Sequence, residues 1–234
     1  MEAKAAGNPC KFGRLNPHQS PSGSRYVSCD ECPEMEAWLK VWEDPEIGQR
    51  YIVCVDPTTG ATRGVNPDNH GIMVLRLGYY DPLGKWHPTK VVARAADCGE
   101  EAAEFAKTNR RIACCRWAID IMQEYVKRLS EYYGAIVAPE VNADRGQVQW
   151  WIKEGIPVIS QQKYNERELK EETYYGWWTD TETRAPMIEE ITRLVRYHNT
   201  SGDGIEIFDP VILAEMKTFI RLSTGRTEAM GNWH

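Results

Sequence analysis

The order of elements predicts a mixed α/β layer protein, a sheet covered by helices, and three observations carry that expectation. Apolar runs of strand length at residues 51–55, 71–80 and 89–95 follow one another through short, turn-rich connections. A helix-period stripe comes next: Ile112, Cys115, Ile119, Met122, Val126, Leu129 and Tyr133 recur at alternating spacings of three and four. A further apolar strand (135–141), a helix (144–154) and a short strand (156–160) complete the series.

Residues 1–35 are rich in Pro, Gly, Ser and Asn without periodicity and read as a flexible tail or linker, leaving 36–234 as the folded domain. Residues 35–42 read as a short helix or strand, and Asp44-Pro45-Glu46-Ile47-Gly48 as a turn into the first main strand. Asp81-Pro82-Leu83-Gly84-Lys85 has hairpin chemistry, and such short connections favour antiparallel pairing of the first three strands. The stripe belongs to one long helix over 100–133 with Gly134 as its stop. A coiled-coil dimer would use the same stripe, but a core helix on a sheet is the plainer reading. Gly155 ends the 144–154 helix, and 161–178 is polar and aromatic. Residues 181–197 read as a helix capped by Thr181 or Thr183, with Ile188, Ile191, Leu194 and Val195 inward. A short strand at 205–208 precedes a helix at 210–222, capped by Asp209 with Pro210 in its first turn, and 225–234 reads as a loop. No internal repeat is visible.

The chain of 234 residues suffices for one domain with a proper core. Its net charge of −6 argues against a protein that coats nucleic acid non-specifically, because phosphate binding wants an excess of Lys and Arg. It leaves room for a nuclease, since a metal site adds acids and a local basic face can coexist with an acidic total. Arg184, Arg193, Arg196, Arg221 and Arg226 do cluster late. No apolar run reaches membrane-span length and Met1-Glu2-Ala3-Lys4 lacks a signal-peptide core, so the expected location is the cytoplasm. The seven cysteines then read as free thiols. Cys10, His18, Cys29 and Cys32 offer four ligands for a zinc knuckle, although their spacing fits no common finger and unliganded thiols in a loop are the plainer reading.

The chemistry centres on two acids. The run Tyr51-Ile52-Val53-Cys54-Val55 ends on Asp56 and breaks at once into Pro57-Thr58-Thr59-Gly60, which delivers a carboxylate to the tip of a rigid strand. A strand-end Asp can equally initiate a turn or cap a helix. Glu140, in Ile136-Val137-Ala138-Pro139-Glu140, lies near the end of a second apolar strand, where a carboxylate needs a partner and a hard divalent metal provides one. Asp68, just before the 71–80 strand, can reach the same place or remain a loop residue, and Asn142 can bond a metal-held water or begin a turn. No Gly-x-Ser-x-Gly elbow, no phosphate loop and no recognisable pairing of a His with Ser or Cys is present. Trp150-Trp151 and Tyr174-Tyr175-Gly176-Trp177-Trp178 are able to stack on bases, with core packing as the plainer role.

Taken in order, these motifs resemble the nuclease domain of tailed-phage terminase large subunits. Residues 39–45 running into Tyr51-Ile52-Val53-Cys54-Val55-Asp56-Pro57 look like the first acidic motif of that family, and Asp68-Asn69-His70-Gly71 falls where members often carry another Asp. Pro139-Glu140-Val141-Asn142 followed by Gly146 looks like the second, and 176–188 is similar to the segment before a long helix. Residues 205–219 match a Glu-Met-x-x-Phe helix, and Glu228-Ala229-Met230-Gly231-Asn232-Trp233-His234 looks like the approach to a third, His-Asp-Asp motif.

The resemblance implies an RNase H-like α/β fold, a five-stranded mixed sheet flanked by helices, over residues 36–234. It implies an endonuclease that hydrolyses DNA phosphodiesters with two Mg²⁺ or Mn²⁺ ions. Asp56 and Glu140 are the implied catalytic residues and, with Asp68, the metal ligands. The implied partners are double-stranded DNA and, in the parent assembly, the terminase ATPase domain, the small terminase subunit and the portal, in the cytoplasm of a phage-infected or prophage-bearing host. The sequence ends at His234, where the family would next place its Asp pair, so the expectation is an isolated nuclease domain with weak metal affinity. Two other readings stay open: a non-catalytic fragment that binds DNA or a partner, and another RNase H-like nuclease such as a junction resolvase.

Overall fold

A computed structural model describes residues 9–34, 36–57, 70–95, 117–142, 146–165, 169–197, 204–217, 219–221 and 227–229. The main sheet contains β1 (Lys11–Gln19), β2 (Arg25–Glu31), β3 (Leu39–Val41), β4 (Tyr51–Asp56), β5 (Gly71–Arg76), β8 (Thr89–Ala95), β9 (Ile136–Pro139) and β12 (Ile205–Glu206). Its order is β2-β1-β3-β8-β5-β4-β9, with β12 beside β8. The pairs β4/β5 and β5/β8 are antiparallel, as expected, whereas β4/β9 and β12/β8 are parallel.

The sheet is thus eight-stranded rather than five-stranded. Most of the difference comes from residues 11–31, which form an antiparallel hairpin on the sheet edge instead of a tail. An edge hairpin needs little apolar patterning: in β1 Leu15 is fully buried while the polar residues around it face solvent. The expected fifth strand is also different. Residues 157–159 lie along β9 through one parallel bridge, Val137 with Val158, and regular structure begins only at β10 (Ser160–Asn165). There it pairs with β11 (Lys170–Tyr175) in a separate hairpin. The 71–80 run divides into β5 and the small hairpin of β6 (Tyr79–Tyr80) and β7 (Trp86–His87).

Helix α1 (Ile119–Tyr133) covers one face of the sheet. Met122, Val126, Leu129 and Tyr133 are buried against Val53, Val55, Val74 and Val137, so the stripe serves a core. Full burial of each such side chain contributes about 1.5–3 kcal/mol. The part of the stripe at Ile112 and Cys115 lies outside the described residues. Gly134 ends α1 in the left-handed conformation, φ 60°, and its N–H returns to the Ser130 carbonyl. Helix α2 (Gly146–Lys153) adds Val148 and Trp151 to the same core.

The opposite face is covered by helix α4 (Pro210–Met216), whose Val211 and Ile212 pack with Val91 near Met73 and Leu75. A register shift between Val74 and Leu75 leaves Val92 as an extra residue in β8. Val92 and Ala93 therefore both enter the α1 core, while Val91 and Arg94 face α4. Asp209 caps α4 as expected, accepting from the Val211 N–H at 2.8 Å. It also accepts from Arg94 Nε in a pair that is almost wholly buried. The helix stops at Met216 rather than reaching 222, and Phe219–Arg221 (β13) pairs with Thr227–Ala229 (β14), so part of the expected final loop is a strand.

Helix α3 (Thr181–Tyr197) has the expected bounds, but its cap is Asp180. The Asp180 carboxylate accepts the N–H groups of Glu182 and Thr183, and Thr183 Oγ1 accepts the Asp180 N–H in return. Ile188, Ile191 and Leu194 are partly covered, and Val195, expected inward, is exposed.

Two substitutions test this framework in urea denaturation. Asp209→Ala should lower stability by about 3–5 kcal/mol, because it strands a buried guanidinium as well as removing a cap. The double change Arg94→Met with Asp209→Asn should recover much of that loss.

Candidate active site

The parallel pairing of β4 with β9 brings the two predicted acids together. The last register pair is Val55 with Pro139, and the Glu140 N–H donates to the Val55 carbonyl at 2.8 Å. Asp56 and Glu140 are thus next-door neighbours at the shared carboxyl end of the two strands. Strand alternation then sets their direction. Val53, Val55 and Val137 are buried under α1, so Ile52, Cys54 and Asp56, with Ile136, Ala138 and Glu140, face the other side. Asp56 is exposed and Glu140 half-buried. Opposite Asp56 stands Gly71, which places no side chain beside that carboxylate.

The surroundings suit negative charge. Helix α1 leads through the tight Gly134 turn into β9 and so runs back against it, placing its N-terminal end at the acid end of the sheet. His70, at the start of β5, is buried and its Nε2 lies 2.8 Å from the Trp117 carbonyl, which ties the approach to α1 to the same end. A carbonyl only accepts, so Nε2 carries the proton, and burial holds the His70 pKa down. Helix α2 also begins just beyond β9. Each helix N-terminus there favours nearby anions by about 0.3–1 kcal/mol.

A third segment holds Glu140 from the outer side. The Trp177 N–H donates to the Pro139 carbonyl at 2.7 Å, and the Val141 N–H donates to the Trp177 carbonyl at 2.8 Å. Asn142 bonds the backbone of Thr179 through both ends of its amide, so it braces the segment rather than beginning a free turn. The approach is close enough to demand glycine at 176. Its φ is +81°, and a Cβ there would lie 2.4 Å from Val141 Cγ1 and 2.8 Å from the Pro139 oxygen. Asn142 stands out in the sequence within Pro139-Glu140-Val141-Asn142, whereas for Gly176 only the dense Gly-Trp-Trp cluster hinted at a constraint.

As a donor set, Asp56 and Glu140 offer oxygen only, which suits a hard divalent ion such as Mg²⁺ or Mn²⁺. Asp68 lies outside the described residues, and among the described residues no group of three or more His, Cys, Asp or Glu side chains converges as a metal site. That applies equally to Cys10, His18, Cys29 and Cys32. The Cys10 thiol donates to the Trp42 carbonyl, His18 pairs with Ser28, and burial pushes the Cys29 thiol up to about 11. Among the described residues no helix is long and apolar enough to cross a membrane.

Gly176→Ala should therefore displace the strand that carries Glu140. We expect a loss of about 2 kcal/mol or more in urea denaturation, well above the gain of about 0.4–1 kcal/mol that alanine gives at an unstrained position.

No protein-family model and no curated protein matches this chain. Solved structures do. The large terminase nuclease from the thermophilic phage G20c, with bound magnesium, superposes with a TM-score of 0.51 at 18% identity, covering 85% of this chain and 82% of that one. The same nuclease with bound cobalt gives a TM-score of 0.53 at 16% identity, covering 85% and 81%. Identity at that level speaks to the fold, and it agrees with the mixed sheet and its flanking helices. The chain has the RNase H-like α/β fold of terminase large-subunit nuclease domains.

Proposed function

We propose that this chain is the metal-dependent endonuclease domain of a phage DNA-packaging terminase, hydrolysing phosphodiester bonds of double-stranded DNA. The observation that carries the reading is the placement of Asp56 and Glu140 side by side on one face, at the carboxyl end of parallel strands. The shared fold supports it, and so does the magnesium bound to the phage G20c nuclease. In this reading the terminase ATPase domain, the small subunit and the portal are partners of the parent assembly, and the site works in the host cytoplasm.

Asp56 and Glu140 would hold the divalent ions, with Asp68 as a further ligand. Two such ions, when bound, supply a nucleophilic water and charge stabilisation at the leaving oxygen. The protein's own part is positional. Backbone pairing across β4, β9 and the 176–177 segment fixes both carboxylates on rigid elements, which keeps the ligand geometry from depending on a loop. In the reaction, water adds to phosphorus, the bond from phosphorus to the leaving oxygen breaks, and that oxygen takes up a proton.

Nicking of supercoiled plasmid in Mn²⁺ tests the proposal. The chain should cut, and Asp56→Ala and Glu140→Ala should each lower the rate by at least about 100-fold. No Mn²⁺-dependent nicking by the parent chain would refute it, and preference for four-way junctions over linear duplex would reassign it to a resolvase.

Metal binding has its own readout. Millimolar Mn²⁺ should raise the thermal midpoint of the parent, because a ligand that binds only the folded state stabilises it. Asp56→Asn with Glu140→Gln should abolish that rise while keeping the metal-free midpoint close to that of the parent.

A further inference from the structure

Trp177 is paired with Glu140 across an isolated parallel bridge, so the indole and the carboxylate stand on the same face as neighbours. The row across the acid end of the sheet therefore reads Gly71, Asp56, Glu140, Trp177. Trp178, the next residue, lies outside that bridge and is 44% exposed. The Trp177 ring is half-buried, yet its Nε1–H is covered from solvent and has no acceptor among the described residues.

An indole N–H only donates. Left without an acceptor and away from water, it carries a desolvation cost that no hydrogen bond offsets. Trp86 Nε1–H is covered and unpaired as well, so what singles out the Trp177 donor is its place beside a carboxylate of the candidate site. Glu140 does not serve as its acceptor, although it is the nearest residue across the bridge. The missing acceptor has to come from outside the described residues, and a bound phosphodiester would supply one. Non-bridging phosphate oxygens accept only, and neutral side-chain donors commonly contact them.

Resting on the nuclease reading, we propose that Trp177 is a substrate-positioning residue, donating its Nε1–H to a backbone phosphate oxygen of the DNA held over Asp56 and Glu140. The contact requires the half-buried ring to turn, so that a donor now covered from solvent reaches the face of the acids. The same contact relieves an unmet donor on the protein and orients the phosphodiester beside the acids. Backbone pairing of Trp177 with Pro139 and Val141 holds the backbone of Trp177 in step with that of Glu140.

The test uses the full chain carrying Asp56→Ala, labelled with ¹⁵N-tryptophan, and a short DNA duplex. The Trp177 indole resonance is assigned by its disappearance in Trp177→Phe. It should move downfield, saturably, as duplex is added. Trp177→Phe should weaken duplex binding by about tenfold, the worth of one such hydrogen bond. Trp178→Phe should leave binding unchanged. Duplex binding without movement of the indole resonance overturns the proposal, as do equal losses from the two phenylalanine variants. Failure to bind duplex overturns it together with the DNA substrate. A moving resonance in a parent chain that never nicks plasmid would uphold the contact and sink the nuclease reading.

Discussion

Parallel pairing between β4 and β9 is the constraint on which the site depends. A parallel ladder keeps residues in step, so one register fixes both the neighbours and the face they share. With Val55 beside Pro139, Asp56 and Glu140 can only be adjacent, and a slip by a single residue would turn one carboxylate into the core under α1. The stakes of such a slip are high, because an unpaired charge in that core would cost several kcal/mol. The hydrophobic pattern of both strands thus guards the chemistry at their tips.

The rest of the fold maintains that register from several directions. Helix α1 presses on β4 and β9 from one side with Val126 and Leu129. Tyr133, at the far end of α1, donates its hydroxyl to the Glu43 carbonyl, and Glu43 pairs in turn with Arg76 and Lys90. The end of the sheet away from the acids is therefore bound by a charge network, and the acid end by backbone bonds and helix starts. On the other face the Arg94–Asp209 pair fastens α4 to β8. The β-bulge at Val92 makes this possible by turning Arg94 away from the core.

Much of this was legible in the sequence because it is local. The proline after Asp56, the glycine after Tyr133 and the proline after Asp209 each act locally, and all three marked real boundaries. The strand carrying Glu140 was legible from its apolar run, and its nearness to Asp56 came from the family resemblance. What escaped is non-local or weakly patterned. The β1/β2 hairpin buries so little that its composition resembles a linker. The 210–222 helix overshoots because nothing between Met216 and Leu222 breaks a helix by propensity alone, whereas Phe219–Arg221 finds a strand partner in β14. Asp209 shows its capping role in sequence, but its buried partner Arg94 lies 115 residues away and leaves no local trace. Gly176 and Asn142 matter through what they touch, which no periodicity encodes.

The edge hairpin has a practical meaning for anyone trimming this polypeptide. Composition invites a start at residue 36, yet β1 hydrogen-bonds the whole of β3, whose Leu39 and Val41 are fully buried. Such a cut would bare a short apolar rim with open amides and carbonyls, a template for intermolecular strand addition. The existing border, β2, is blunted by Arg25, Asp30 and Glu31, with Asp30 gripped by Asn16 and Ser28. Residues 11–31 act as a selvedge that keeps the sheet from fraying into its neighbours.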